Sequence, residues 1–222
     1  MTSGSTFPQR LTKIDDLTRP DHSYLTADDE CYFLGEYTAR KGFAFSPTNN
    51  LVLNFKKKMD RRGRPEWRYK GIAIRDAAVA LRAALADKAR EVLTFVPVPP
   101  SKAKTDPMYD DRLLQMLAGL WPTQPTDVRE LVVQPASTEA VHDSDDRPTP
   151  AELQARYALD RNLMNPPPQT LAIIDDVLTT GAHYLAVKSV LRTVFPATPI
   201  VGLFIARRVP EAVDIEDFFD PL

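Results

Sequence analysis

Leu171-Ala172-Ile173-Ile174-Asp175-Asp176-Val177-Leu178-Thr179-Thr180-Gly181-Ala182-His183 places an apolar run, two adjacent acids and a glycine-bearing turn in immediate succession. Leu171 to Ile174 is short and rich in β-branched residues, and Pro166, Pro167 and Pro168 before it cannot carry a helix forward. The run therefore reads as a buried parallel strand. Asp175 and Asp176 fall at its expected end, and Val177 to Gly181 reads as a tight loop. Beyond the loop, Val187, Val190, Leu191 and Val194 share one face of a helix. At such a junction the first helical turn offers backbone N–H groups with no intrahelical partner. Thr179 to His183 can thus hold a phosphate, while the acids face hydroxyls or a hydrated Mg²⁺.

The surrounding chain must supply the rest of a parallel sheet. With 222 residues, 43% of them hydrophobic, it can bury a substantial core, and one α/β domain with an added N-terminal element is expected. The net charge of -2 gives no global attraction to nucleic acid or to an anionic membrane. Cys31 is the single cysteine, so neither an intrachain disulfide nor a cysteine zinc cluster can form, and an inert packed thiol is expected. The first thirty residues lack an apolar core like that of a signal peptide, and no run of about eighteen apolar residues occurs. A cytoplasmic protein with no membrane partner is the expectation.

Residues 1–70 read as an N-terminal arm followed by a small antiparallel cap, and residues 71–222 as the α/β core. Residues 1–30 show little periodicity and no catalytic signal. Tyr32-Phe33-Leu34, Phe43-Ala44-Phe45 and Leu51 to Phe55 look like cap strands, with Ser46 to Asn50 as the turn between the last two. From Lys56 to Lys70 the chain is basic: Lys56, Lys57, Lys58, Arg61, Arg62, Arg64, Arg68 and Lys70, with Trp67 and Tyr69 interleaved. That cluster reads either as a surface for phosphates or nucleic acid or as a solvated loop.

Ile72 to Arg90 predicts a scaffold helix with Ile74, Ala78, Leu81 and Leu85 on one face. Val92 to Val98 predicts the first core strand, followed by a proline-stiffened loop carrying Ser101, Lys102 and Lys104. A helix over Tyr109 to Trp121, a strand over Val128 to Val133, a short helix over Thr149 to Leu159 and a central strand over Ile200 to Ala206 complete the core. The polar, acidic stretch from Pro135 to Pro150, with His142 and Asp143 to Asp146, is placed for a mobile lid. Arg156 and Arg161 beyond it, and Arg207 and Arg208 after the last strand, are candidates to line the site. The acidic tail from Glu211 to Leu222 reads as a docked segment or a partner contact.

Asp175, Asp176, Thr179, Thr180, Gly181 and Ala182 match a known pattern: apolar residues, two acids, two variable residues, Thr-Thr-Gly, a small residue and Thr. The stretch resembles the phosphoribosyl-pyrophosphate (PRPP) signature of the type I phosphoribosyltransferases, closely over about a dozen residues and loosely over the last two-thirds of the chain. His183 stands where the family usually has a threonine. Val96-Pro97-Val98-Pro99 also resembles the ComF-like subgroup, which continues with Arg-Gly-Phe-Asn-Gln where this chain has Asp106-Pro107-Met108-Tyr109-Asp110. The cysteine-rich zinc module that often begins ComF-like proteins is absent from this sequence.

The resemblance implies a Rossmann-type parallel sheet flanked by helices, with the antiparallel piece as a hood over the acceptor. It implies that Thr179, Thr180, Gly181, Ala182 and His183 bind the 5-phosphate of PRPP, and that Ser101, Lys102 and Lys104 bind pyrophosphate. Asp175 and Asp176 would orient the ribose hydroxyls and hold Mg²⁺, directly or through water. Transfer of ribose 5-phosphate to an unidentified acceptor is the leading activity. A PRPP or nucleotide sensor without catalysis, and a nucleic-acid-associated protein using Lys56 to Lys70, are the alternatives. The sequence leaves the oligomeric state open, a homodimer included. No Gly-rich loop followed by Lys-Ser/Thr, no His-Glu-x-x-His and no Gly-x-Ser-x-Gly occurs, so NTPase, zinc-protease and hydrolase readings lack their parts.

Overall fold

The computed structural model describes residues 7–138 and 148–210. His142, the acids Asp143, Asp145 and Asp146, and the tail from Glu211 to Leu222 lie outside them. In chain order the regular elements are β1 (Thr12–Lys13), β2 (Cys31–Thr38), α1 (Pro47–Phe55), α2 (Arg68–Ala84), α3 (Ala89–Val92), β3 (Leu93–Pro97), α4 (Arg112–Ala118), β4 (Val132–Val133), α5 (Pro150–Arg156), β5 (Ala158–Leu159), β6 (Thr170–Leu178), α6 (Ala182–Arg192) and β7 (Ile200–Val209).

Five strands form the main sheet in the order β1-β2-β7-β6-β3, parallel throughout except for the short edge pairing of β1 with β2. The parallel strands are buried on both faces, as a sheet covered by helices requires. On one face Phe55, Ala77, Leu81, Met116 and Leu117 from α1, α2 and α4 pack against Phe95, Ala172, Ile174 and Leu203. On the other, Val187 and Leu191 from α6 pack against Phe33, Val96, Leu171, Ile173 and Phe204. The chain is thus α/β with helices on both sides, compatible with a Rossmann-like arrangement, and Ile74, Ala78 and Leu81 are buried as the α2 pattern predicts. No helix among the described residues is long and apolar enough to cross a membrane.

The expected antiparallel cap does not form among residues 31–55. β2 is a parallel strand of the main sheet, in register from Cys31 opposite Gly202 to Thr38 opposite Val209. Phe43 and Phe45 lie in a turn and are about half exposed, at 49% and 54%. Leu51 to Phe55 is helical because Ser46 caps it: the Ser46 hydroxyl accepts from the Asn49 N–H, and Pro47 fits the first helical position with its fixed φ and missing donor. Val52 and Phe55 then turn to the sheet.

Cys31 is fully buried beneath Gly202, where an added Cβ would come within 2.8 Å of its sulfur, and burial pushes the thiol up to about 12. It is an unreactive packing residue, as expected. Replacing Ser46 by Ala should cost about 1 kcal/mol in urea unfolding and shorten α1 from its start, visible as lost amide protection at Asn49. Unchanged stability would argue against the capped helix.

Candidate functional site

In an open parallel sheet, ligand sites form beyond the carboxyl ends of the strands, where loops leave for opposite faces. β6 supplies that end here, but it runs further than its apolar core suggests. Asp175, Val177 and Leu178 remain paired with Phe204, Ala206 and Arg207 of β7, so both acids belong to the strand and the loop shrinks to Thr179-Thr180-Gly181. The pairing continues because Val177 and Leu178 are themselves buried.

The turn is held from behind by the N-terminal arm. The Thr179 carbonyl meets Nδ1 of the fully buried His22, and the Thr180 carbonyl accepts from the Tyr24 N–H at 3.0 Å. A trans peptide sets its N–H opposite its C=O, so the amides of Thr180 and Gly181 are directed away from the arm. No hydrogen bond among the described residues engages either amide. Gly181 is required twice: its φ is +89°, and a Cβ there would sit 2.8 Å from Leu25. α6 begins at the next residue, adding its own first-turn amides and positive dipole end. The turn can therefore offer donors to an anion, although the recess lined by Asp175, Thr179, Gly181 and His183 encloses only about 10 Å³. An anion of phosphate size would sit on its rim and not inside it.

The two acids differ sharply. Asp176 has 4% exposure and spends both oxygens on cations: Lys56 Nζ is 3.0 Å from Oδ1, while Arg112 Nε and Nη2 lie 3.0 and 2.6 Å from Oδ2. The pairing extends through Arg112 to Asp110 at 2.9 Å, and from Asp110 to Lys70 at 2.8 Å. Burial opposes the charge on Asp176, but Lys56 and Arg112 overcome it and hold its pKa well below the usual carboxylate range. Asp175 accepts only the neighbouring Asp176 N–H at 2.7 Å and has no cationic hydrogen-bond partner among the described residues. Desolvation and the adjacent Asp176 charge push it upward.

Among the described residues no group of three or more His, Cys, Asp or Glu side chains could hold a metal ion. Mg²⁺ commonly needs only one or two carboxylates, completing its shell with water and ligand phosphates. Asp175 suits that role better than Asp176, since no cation hydrogen-bonds it and Lys56 and Arg112 act on it only through space, whereas both oxygens of Asp176 are already paired.

The loop after β3 leaves at the same sheet end, where Val98 N–H bonds the Ile174 carbonyl at 2.9 Å. Its three candidates fare differently. Lys104 is paired with Glu130, and the Ser101 carbonyl is engaged by Gln134 and Thr138. Lys102 makes no hydrogen bond or ion pair among the described residues. Arg207 does not line the site freely, being held by Asp21 at 2.7 Å and Glu36 at 2.6 Å. The basic cluster is partly internal: Lys56 serves Asp176, Lys57 bonds Asn54 and the Glu66 carbonyl, and Lys70 is 3% exposed against Asp110 and the carbonyls of Phe55 and Lys57.

Four contributions had no local signal: the pairing of Arg112 and of Lys56 with Asp176, His22 behind the turn, and Tyr157, whose hydroxyl lies 2.8 Å from Nδ1 of His183. No family model matches the chain, and no curated protein matches its sequence.

Replacing Gly181 by Ala should destabilise the protein by about 2–4 kcal/mol, combining left-handed strain with overpacking against Leu25, as read by urea unfolding. The acids predict opposite pH behaviour. Asp176, depressed, contributes stability above the ordinary carboxylate pKa that is lost as pH falls through its folded value. Asp175, raised, contributes stability at low pH that is lost as pH rises through its folded value. Asp175→Asn should therefore reduce the decline in unfolding free energy between pH 5 and pH 8, whereas an unchanged decline would place the titration elsewhere.

Proposed function

We propose that this chain is a phosphoribosyltransferase that transfers ribose 5-phosphate from PRPP to an acceptor nucleophile, with release of pyrophosphate. The observation that carries the reading is the coincidence of the Asp175-Asp176 pair, the outward amides of Thr180 and Gly181 and the start of α6 at one strand end. Departure of pyrophosphate leaves a cationic ribose, so the protein's task is to hold and orient charge without supplying a covalent nucleophile. Thr179 to His183 hold the 5-phosphate. Asp175 accepts from the ribose hydroxyls and carries the negative charge nearest the developing cation. Lys102 meets the pyrophosphate, with Lys104 and Ser101 reduced to shaping its loop. Mg²⁺, when bound at Asp175 with the ligand's own oxygens, supplies charge neutralisation for the leaving group.

Asp176 acts one step back, anchoring α4 and the end of α1 to β6. That engagement favours a second reading, a PRPP or nucleotide sensor, because it leaves a single free carboxylate for the ribose. The nucleic-acid reading is weaker, since Lys56, Lys57 and Lys70 face protein partners.

Pyrophosphate release from PRPP with Mg²⁺ and a panel of bases separates transferase from sensor. For the transferase, Asp175→Asn should lower turnover at least about 100-fold with the fold retained. PRPP binding with no release by the native protein would support the sensor, and no binding at all would overturn both.

A further inference from the structure

His183 is the position at which the motif departs from its pattern, and it is not an idle surface residue. It stands in the first turn of α6, and its Nδ1 is 2.8 Å from the hydroxyl of Tyr157. Tyr157 caps the C-terminal end of α5 and packs with Leu153, Ala182 and Ala186, so its ring is anchored across the α5–α6 contact. Among the described residues the Tyr157 hydroxyl has no acceptor other than Nδ1. When the hydroxyl donates to Nδ1, the neutral imidazole carries its own proton on Nε2; in the other tautomer Nδ1–H donates to the hydroxyl oxygen and Nε2 is left as a lone pair. Nε2 itself has no partner among the described residues. His183 is exposed, and partial desolvation by the neighbouring protein, aided by Lys56 and Arg156 and opposed by Asp176, lowers its pKa from the ordinary imidazole value. In the neutral ring the tautomer decides whether Nε2 offers a donor or a lone pair.

We propose that Tyr157 is a positioning residue that fixes His183 as an Nε2–H donor to a phosphate monoester seated on the Thr179-to-His183 turn, the pair doing the work of the missing threonine hydroxyl. A phosphate presents only acceptors, so the opposite tautomer would set a lone pair against an anion. The donor adds to the outward amides of Thr180 and Gly181, and Arg156, one residue before Tyr157, adds positive charge to the same neighbourhood. The inference rests on the ribose-phosphate reading of the turn, but the tautomer it requires can be read without any ligand.

Two measurements on the full chain test it. First, ¹⁵N spectra of labelled histidine at pH 7 should show His183 with Nε2 protonated, and Tyr157→Phe should shift it toward a mixture of tautomers. Second, calorimetric titration with ribose 5-phosphate should give affinity about five- to tenfold weaker in Tyr157→Phe, the loss expected for one misdirected hydrogen bond. His183→Thr removes the imidazole that Tyr157 orients, so adding Tyr157→Phe to it should change nothing further. A Tyr157→Phe loss that persists in the His183→Thr background would show a merely structural role and overturn the proposal, as would equal binding by Tyr157→Phe and the native protein. If the native protein does not bind ribose 5-phosphate, the ribose-phosphate reading falls. Titration with inorganic phosphate then decides the positioning role alone: a His183 ¹⁵N shift that is lost in Tyr157→Phe supports it, and no shift overturns it.

Discussion

A carboxylate as deeply buried as Asp176 must acquire cations or take up a proton, and the surroundings of β6 are arranged to meet the first demand. Lys56 arrives from the end of α1 and Arg112 from the start of α4, two elements that approach the same face of the sheet. Arg112 in turn needs Asp110, and the buried ammonium of Lys70 closes the chain of charges from α2. Three helices are thereby registered against the end of one strand. Removing a member would leave an uncompensated buried charge, so the network constrains the layer more than its net energy suggests.

The same constraint separates the roles of two residues that look equivalent in sequence. Asp175 and Asp176 are neighbours on an extended strand, so their side chains leave on opposite sides. One side offers cations from α1 and α4, and the other opens toward the turn and α6. A shared motif letter thus becomes one structural anion and one available to a ligand. The available acid keeps its raised affinity for protons because it is desolvated and its neighbour's charge is fixed beside it.

The parts legible in the sequence were those whose causes are local. The strand, acids and turn within Leu171 to Gly181 could be read because they are consecutive, although the strand runs on through Val177 and Leu178 where a loop was expected, and α2 because its apolar face repeats with helical period. Leu51 to Phe55 was misread because its apolar density resembles a strand, although Ser46 and Pro47 already carried the start signal of a helix. Placing β2 in the main sheet required knowing its partner β7, which follows about 170 residues later in the chain. Arg112 and Lys56 find Asp176 across separations of 64 and 120 residues, and nothing near either residue announces the pairing. His22 and Tyr157 are single polar residues in unremarkable surroundings, given meaning only by the carbonyl and the imidazole that folding brings to them.

The segment from His22 to Leu25 has a consequence for how the turn moves. Both carbonyls that orient the outward amides are bonded to it, and Leu25 covers Gly181. Opening the segment would release the two peptide planes together and uncover the glycine, so arm and turn form one cooperative unit of local unfolding. Any anion that selects the closed arrangement also holds the arm down, and its apparent affinity scales with the fraction of molecules in which the arm is closed. Residues on the far side of the peptide planes, which never touch a ligand, thereby share in setting how tightly one is held.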